Sequence, residues 1–307
     1  MIEILLATYN GEAYLRQQLD SLFAQSFQDF RILARDDGSA DGTVSILLEY
    51  EKQHPEKMKI IRDDRKGGSP ARNFFILLEH ASADYVMFCD QDDVWLKNKI
   101  GTTYDAMRQT EQVRGKDTPC LVYADYRAVG ADLEEIRFNE KHSQVYRHKL
   151  DVRHLLVQNY VTGCLMMCNR ALYVRCGAFE DGILMHDWWL ALLASGCGVI
   201  RHIPETVMLY RQHGNNQAGA VDVKSFRYRL GKIRDKETRS MQYRYLKQAQ
   251  VFYDRYRQIL DPPVRKSVRE FIGIWETPGK ARRILLLIKG RYLKSDLVRI
   301  LGQLWYL

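Results

Sequence analysis

The sequence contains no CxxC pair. Its six cysteines stand apart at positions 89, 120, 164, 168, 176 and 197, several within apolar runs such as Val86–Cys89 and Leu165–Cys168, and read as buried thiols of a reducing compartment. Also missing is any uncharged apolar run near the roughly 18–20 residues that a spanning helix requires. Ile284–Ile288 comes nearest and is bounded by Arg282, Arg283 and Lys289, so the chain is not expected to cross a membrane alone. No basic residue precedes the apolar ones of Met1–Leu6, and no signal peptide is expected. No GxGxxG follows the first apolar run and no GxxxxGK[ST] occurs, which argues against the usual dinucleotide fold and against a P-loop. Phosphate handling must come from elsewhere.

What is present suffices for one large domain, or a domain with an appendage: 307 residues, 46% of them hydrophobic. The net charge of +8 is unevenly spread. Residues 1–223 carry 25 basic and 31 acidic side chains, whereas residues 224–307 carry 21 and 7. An acidic body with a strongly basic tail points to a tail that meets anions, whether phospholipid head groups, nucleic acid or a phosphorylated substrate.

Short β-type runs alternate with helical periods over the first hundred residues, the pattern of an α/β fold with a mostly parallel sheet covered by helices. Strands are predicted at Ile4–Ala7, Phe30–Ala34, Met58–Ile61 and Tyr85–Cys89. The helices between them turn inward Leu15, Leu19, Leu22 and Phe23, then Val44, Leu47 and Leu48 behind an Asp41 cap, then Phe74, Leu77, Leu78 and Ala81 with Pro70 in the first turn. Strands at Leu121–Ala124, Leu165–Cys168, Val199–Ile203 and Val207–Tyr210, and a helix after Asp187, form the second half of the same domain, residues 1–217. Residues 218–307 form a basic, aromatic helical region that includes Tyr228 and Tyr245 and is broken at Pro262-Pro263 and Pro278-Gly279. Its last helix sets Leu297, Ile300, Leu301, Leu304 and Trp305 on one face.

Ligands of such sheets bind beyond the carboxyl ends of the strands, and the polar clusters fall there. Thr8-Tyr9-Asn10, Asp36-Asp37-Gly38-Ser39, Asp63–Gly68 and Asp90-Gln91-Asp92-Asp93 follow the first four strands. Asp90 and Asp92 suit a hard cation, because Mg²⁺ takes oxygen ligands and is commonly shared between one or two carboxylates and substrate phosphates. An Asp-rich turn or cap is the other use of such a run. His213 either belongs to a turn before Gly214 or completes a metal shell, with Arg211 offsetting phosphate charge. Asp187 is either a cap favoured by the helix dipole or a general base that takes a proton from an attacking hydroxyl. In the second case His186, Trp188 and Trp189 lie on the acceptor side, where the tryptophans form an apolar wall or stack on a sugar. Sugar transfer by single displacement with inversion needs one base and stabilisation of the leaving group, not the paired acid and base of glycoside hydrolysis.

Taken in order, these segments, together with Gly68-Ser69-Pro70-Ala71-Arg72-Asn73, resemble family 2 inverting glycosyltransferases of the GT-A fold over roughly residues 1–217. More narrowly they are similar to bacterial rhamnosyltransferases that build cell-wall polysaccharide and O-antigen from dTDP-L-rhamnose. The resemblance implies that Thr8, Tyr9, Asn10 and Asp37 meet the nucleotide, with Arg72 near the base. It implies that Asp90 binds the nucleotide sugar, Asp92 binds Mn²⁺ or Mg²⁺ with help from His213, and Asp187 is the base. His186 departs from the Glu that many members carry before the catalytic Asp, and Lys97 stands where Pro is frequent.

The tail matches less well. Its cations are either a solvated helix surface or a basic amphipathic face on the anionic cytoplasmic leaflet, where lipid-linked glycan acceptors reside; a homodimer through the tail is a further use. The leaflet reading makes the protein cytoplasmic and peripheral to the inner face of the bacterial plasma membrane. The alternative donor is UDP-galactose, UDP-glucose or UDP-N-acetylglucosamine. The alternative outside catalysis is nucleic-acid binding by the tail, which leaves the acidic rim without a purpose.

Overall fold

The computed structural model describes residues 1–136, 150–213 and 236–307. Its first half runs β1 (Ile2–Thr8), α1 (Glu12–Phe23), β2 (Phe30–Asp36), α2 (Thr43–Gln53), β3 (Met58–Ile60), α3 (Pro70–His80), β4 (Tyr85–Cys89), β5 (Val94–Trp95) and α4 (Lys99–Arg114). There follow β6 (Cys120–Val129), α5 (Val152–Leu155), β7 (Met166–Asn169), α6 (Arg170–Tyr173), α7 (His186–Cys197) and β8 (Val199–Arg211). The chain ends in α8 (Lys236–Tyr256), α9 (Pro262–Glu276), α10 (Lys280–Gly290) and α11 (Leu297–Trp305). Among the described residues the eight strands form one sheet in the order β3-β2-β1-β4-β7-β6-β8-β5. Only β7 and β5 run against the rest.

Helices cover both faces, which is why β4 is a continuous apolar run with every residue buried. Alternation along β1 divides its side chains: Ile2, Ile4 and Leu6 pack with α1, α2 and α4, while Leu5 faces the opposite layer of α3 and α7. That second layer also takes in α8 and α9. Phe252 and Tyr256 pack against Trp189, and Phe271 packs against Tyr292. Each such fully buried aromatic contributes roughly 1.5–3 kcal/mol of transfer free energy, so the C-terminal helices share the core of the sheet. The expected boundary at residue 217, and Tyr228, lie outside the described residues.

Three local expectations need correction. Gly42, not Asp41, is the α2 N-cap, although Asp41 Oδ1 accepts from the Thr43 amide; Val44 and Leu48 point to solvent, and Ile46, Leu47 and Tyr50 are the buried set. Ala81 is the C-cap of α3 rather than part of its inner face. The strands read as Val199–Ile203 and Val207–Tyr210 are one strand, β8: its pairing with β6 jumps from Ile203 opposite Ala124 to Thr206 opposite Asp125. Pro204 and Glu205 form the intervening bulge, where a residue without an N–H breaks no ladder bond.

Register decides what shares the rim. Thr8 lies opposite Asp36, and Leu6 opposite Cys89, so the loops after β1, β2 and β4 open side by side. Two residues beyond the acidic loop, Val94 and Trp95 pair with Leu209 and Met208 of β8, which brings the end of β8 against Asp92 and Asp93.

Candidate active site

The rim is built on Arg35, whose side chain is almost wholly buried at the end of β2. Its guanidinium donates to Asp37 Oδ1 at 3.1 Å, Asn73 Oδ1 at 2.8 Å and Asp63 Oδ1 at 2.9 Å. Asp37 also accepts the amides of Gly67 at 2.5 Å and Gly68 at 2.8 Å, so the carboxylate fixes the loop between β3 and α3. Three of its roughly four lone-pair positions are thereby filled. The neighbouring Asp36 makes its own turn: it accepts from the Gly38 and Ser39 amides and from the hydroxyls of Ser39 and Thr8.

Thr8 and Asn10, expected on the nucleotide, have their side chains engaged within the protein. The Thr8 hydroxyl lies 2.9 Å from Asp36, and Asn10, at a left-handed φ of 48°, accepts the Ala40 amide while its own amide meets Ser39. Tyr9 projects to solvent, and a reciprocal pair of bonds between its backbone and the Gln91 amide group locks β1 to the acidic loop. Arg72 is half exposed, paired with Asp181 at 2.9 Å and set 4.8 Å over the Phe179 ring, at the mouth of a recess of about 610 Å³ that also includes Gly67.

The acidic loop and the start of α7 meet across the sheet end. Burial raises the Asp90 carboxyl to about 7, and the charges of Asp92 and then Asp187 add to the effect, so these three carboxylates occupy one electrostatic site. Burial likewise raises Asp187 to about 6, against the opposing bonds it accepts from the Trp188 amide at 2.6 Å and the Gly163 amide at 3.1 Å. Asp92 Oδ2 lies 2.9 Å from His213 Nε2, and the His213 ring rests 4.7 Å from Tyr14. Asp92 and His213 thus set two potential ligand atoms, a carboxylate oxygen and an imidazole nitrogen, side by side. Behind them, Asp90, Asp93 and Cys164 bring three more potential ligand atoms within 4.8 Å of one another. Asp93 is buried, accepts the Arg211 amide through Oδ1, and among the described residues has no hydrogen-bond partner for Oδ2; burial pushes its carboxyl well up. Orphaned carboxylate oxygen and crowded negative charge are what a bound cation relieves, and the donor set fits one.

Four expected residues have other surroundings. The Arg211 guanidinium turns inward, donating to the carbonyls of Asp92 and Ala131 and to Gln17, and lies 4.5 Å over Tyr14; it ties down the acidic loop instead of facing a phosphate. His186 is boxed between Phe74 and Phe88 at ring distances of 4.0 and 4.9 Å, and burial lowers it to about 3, so it stays neutral. Trp188 donates to the Leu155 carbonyl and packs on Tyr245, and Trp189 donates to Cys176 and is fully buried. These three side chains brace α7 beneath Asp187 and are not an open acceptor wall.

Lys99, Asp93 and Arg35 were not singled out from the sequence. Lys99 is buried under the acidic loop, donating to the Cys164 carbonyl at 2.5 Å with its ammonium 3.6 Å over the Trp95 ring. Burial lowers it to about 8. Asn98-Lys99-Ile100 reads as an ordinary polar helix start, so the sequence offered no signal for the burial of Lys99.

Residues 3–172 match the family model "Glycosyl transferase family 2". The dTDP-rhamnosyl transferase RfbG of Shigella flexneri is 28% identical over 244 residues, 75% of this chain and 80% of that protein. Uncharacterized protein Rv1520 of Mycobacterium tuberculosis is 27% identical over 219 residues; the match takes in 70% of this chain and 59% of that one. Among solved structures, the mannosyltransferase PcManGT of Pyrobaculum calidifontis, in complex with GDP-Man and Mn²⁺, superposes with a TM-score of 0.57 at 15% identity, covering 94% of this chain and 75% of that one. S. aureus TarS 1–349 with UDP-GlcNAc gives 0.55 at 15% identity, covering 99% and 89%. The fold is GT-A.

Proposed function

From a chain that belongs to glycosyl transferase family 2, we infer an inverting, metal-dependent transfer of L-rhamnose from dTDP-β-L-rhamnose to a hydroxyl of a lipid-linked glycan, forming an α-rhamnoside for cell-surface polysaccharide. The observation that carries this reading is the meeting of three carboxylates at one sheet end, where the charges of Asp92 and Asp187 both act on Asp90. The donor sugar rests on similarity to RfbG.

In this reading the nucleotide lies along the β1–β2 rim, between the exposed Tyr9 and Arg72, with the open lone pair of Asp37 turned to the base. Asp92 and His213 would hold Mn²⁺ or Mg²⁺, which supplies positive charge against the oxygens of the departing diphosphate. Asp90 orients the sugar. Asp187, held in place by the Gly163 and Trp188 amides, takes the proton of the acceptor hydroxyl as that oxygen attacks the anomeric carbon opposite the diphosphate. Its raised proton affinity suits a base working near neutral pH. The basic C-terminal helices would hold the enzyme on the anionic cytoplasmic leaflet, where each surface Lys or Arg contributes about 1 kcal/mol.

A donor screen with the purified protein and a rhamnosyl acceptor, reading released nucleoside diphosphate, tests this. Release from dTDP-L-rhamnose in preference to UDP-galactose, UDP-glucose and UDP-N-acetylglucosamine is expected. Preference for a UDP-sugar would overturn the donor, and no release from any of them would overturn the reaction.

A further inference from the structure

The last two helices leave apolar side chains uncovered in register. On α11, Leu297, Leu301 and Trp305 recur at four-residue spacing along one face and are 71%, 54% and 63% exposed. On α10, Leu285 and Ile288 are 64% and 47% exposed. The chain turns back between the two helices, so that Lys280 in the first turn of α10 donates to the Trp305 carbonyl and lies 5.5 Å from the Trp305 ring. Around this apolar surface cations predominate: α10 carries four and no acid, and α11 adds Arg299, paired with its N-cap Asp296. Exposed Arg282 and Lys289 lie one helical turn to either side of Leu285.

Three kinds of partner could cover such a face, and its chemistry separates them. Nucleic acid would pair with the cations but leave the leucines and Trp305 in water. A second copy would cover the apolar stripe but would bring the four cations of α10 towards an equally cationic surface without supplying anions for them. A bilayer with anionic lipids satisfies both halves at once, with acyl chains under the apolar stripe and phosphates beside the arginines and lysines.

We propose that this face of α10 and α11 inserts into an anionic membrane surface, with Leu285, Leu301 and Trp305 at the acyl boundary and Arg282 and Lys289 among the phosphates. The purpose of the contact, reaching a lipid-linked acceptor, rests on the reading above; its test does not.

The full chain is floated with phosphatidylcholine vesicles, with and without phosphatidylglycerol. Binding is expected only with the anionic lipid. Trp305 provides a second readout, since Trp95, Trp188 and Trp189 are buried and Trp275 is partly covered; its fluorescence should shift to the blue and be quenched by brominated acyl chains. The variant L285S/L301S/W305S changes only exposed side chains and should lose at least about tenfold in vesicle binding, with donor turnover on a soluble acceptor unchanged. Failure of the full chain to float, equal flotation of the variant, or a light-scattering dimer abolished by the same substitutions would each overturn the proposal. A chain that floats as described yet turns over no nucleotide sugar supports the membrane face and counts against the catalytic reading alone.

Discussion

Replacing the carboxylate in Asp187→Asn separates its chemical role from its structural one. Burial lifts this carboxyl from 3.8 to about 6, which at 1.36 kcal/mol per pK unit amounts to about 3 kcal/mol favouring the protonated form in the folded state. Because the folded value is the higher one, the stability this group contributes is full below the unfolded value and is lost as pH rises through about 6. Asparagine carries no such charge. The difference in unfolding free energy between variant and wild type should therefore move by about 3 kcal/mol in the variant's favour between about pH 4 and about pH 8. Turnover should fall at least ~10²-fold while dTDP affinity stays near wild type, the lower end for loss of a general base. In the wild type, kcat/KM should climb with pH up to about 6 and then level. Urea titrations at several pH values, calorimetry with dTDP and initial rates of diphosphate release check these outcomes. Normal turnover in the variant would remove Asp187 from the chemistry, and a stability difference indifferent to pH would refute the buried charge.

Asp92→Ala should make dTDP binding indifferent to Mn²⁺ in calorimetry, because it removes the carboxylate facing His213. In the wild type, Mn²⁺ affinity should rise with pH through about 7 as Asp90 gives up its proton, a dependence that metal titrations at fixed ionic strength would detect. Arg35→Met strips the buried partner from Asp37 and Asp63 and should cost about 3–5 kcal/mol in urea unfolding. Gly163→Ala would bring a methyl to 2.6 Å from His186 Nε2, and that ring is boxed by Phe74 and Phe88. A loss of roughly 1–3 kcal/mol should appear in thermal melts, with slower turnover because the Gly163 amide holds Asp187.

The order of residue types is enough to set the alternation of strand and helix over the first hundred residues, the chain breaks at Pro262 and Pro278, and which segments end in acids. Each of these follows from short-range rules: the period of apolar residues, the missing N–H of proline, and the position of polar residues at the end of a buried run. Long-range pairing decided the rest. A two-residue strand, Val94–Trp95, has too little length to show a period, yet its pairing with β8 is what brings His213 to Asp92. The bulge at Pro204-Glu205 looked like a break because the continuing ladder belongs to β6, some eighty residues earlier. Arg211 and the two tryptophans after Asp187 have residue types that suit a phosphate or a sugar, and only packing shows them bound to backbone carbonyls inside the protein. Burial, which reaches a side chain from every neighbouring element at once, cannot be read from a residue's position in the chain; it holds Arg35 and Lys99 under the rim and raises the proton affinity of Asp187.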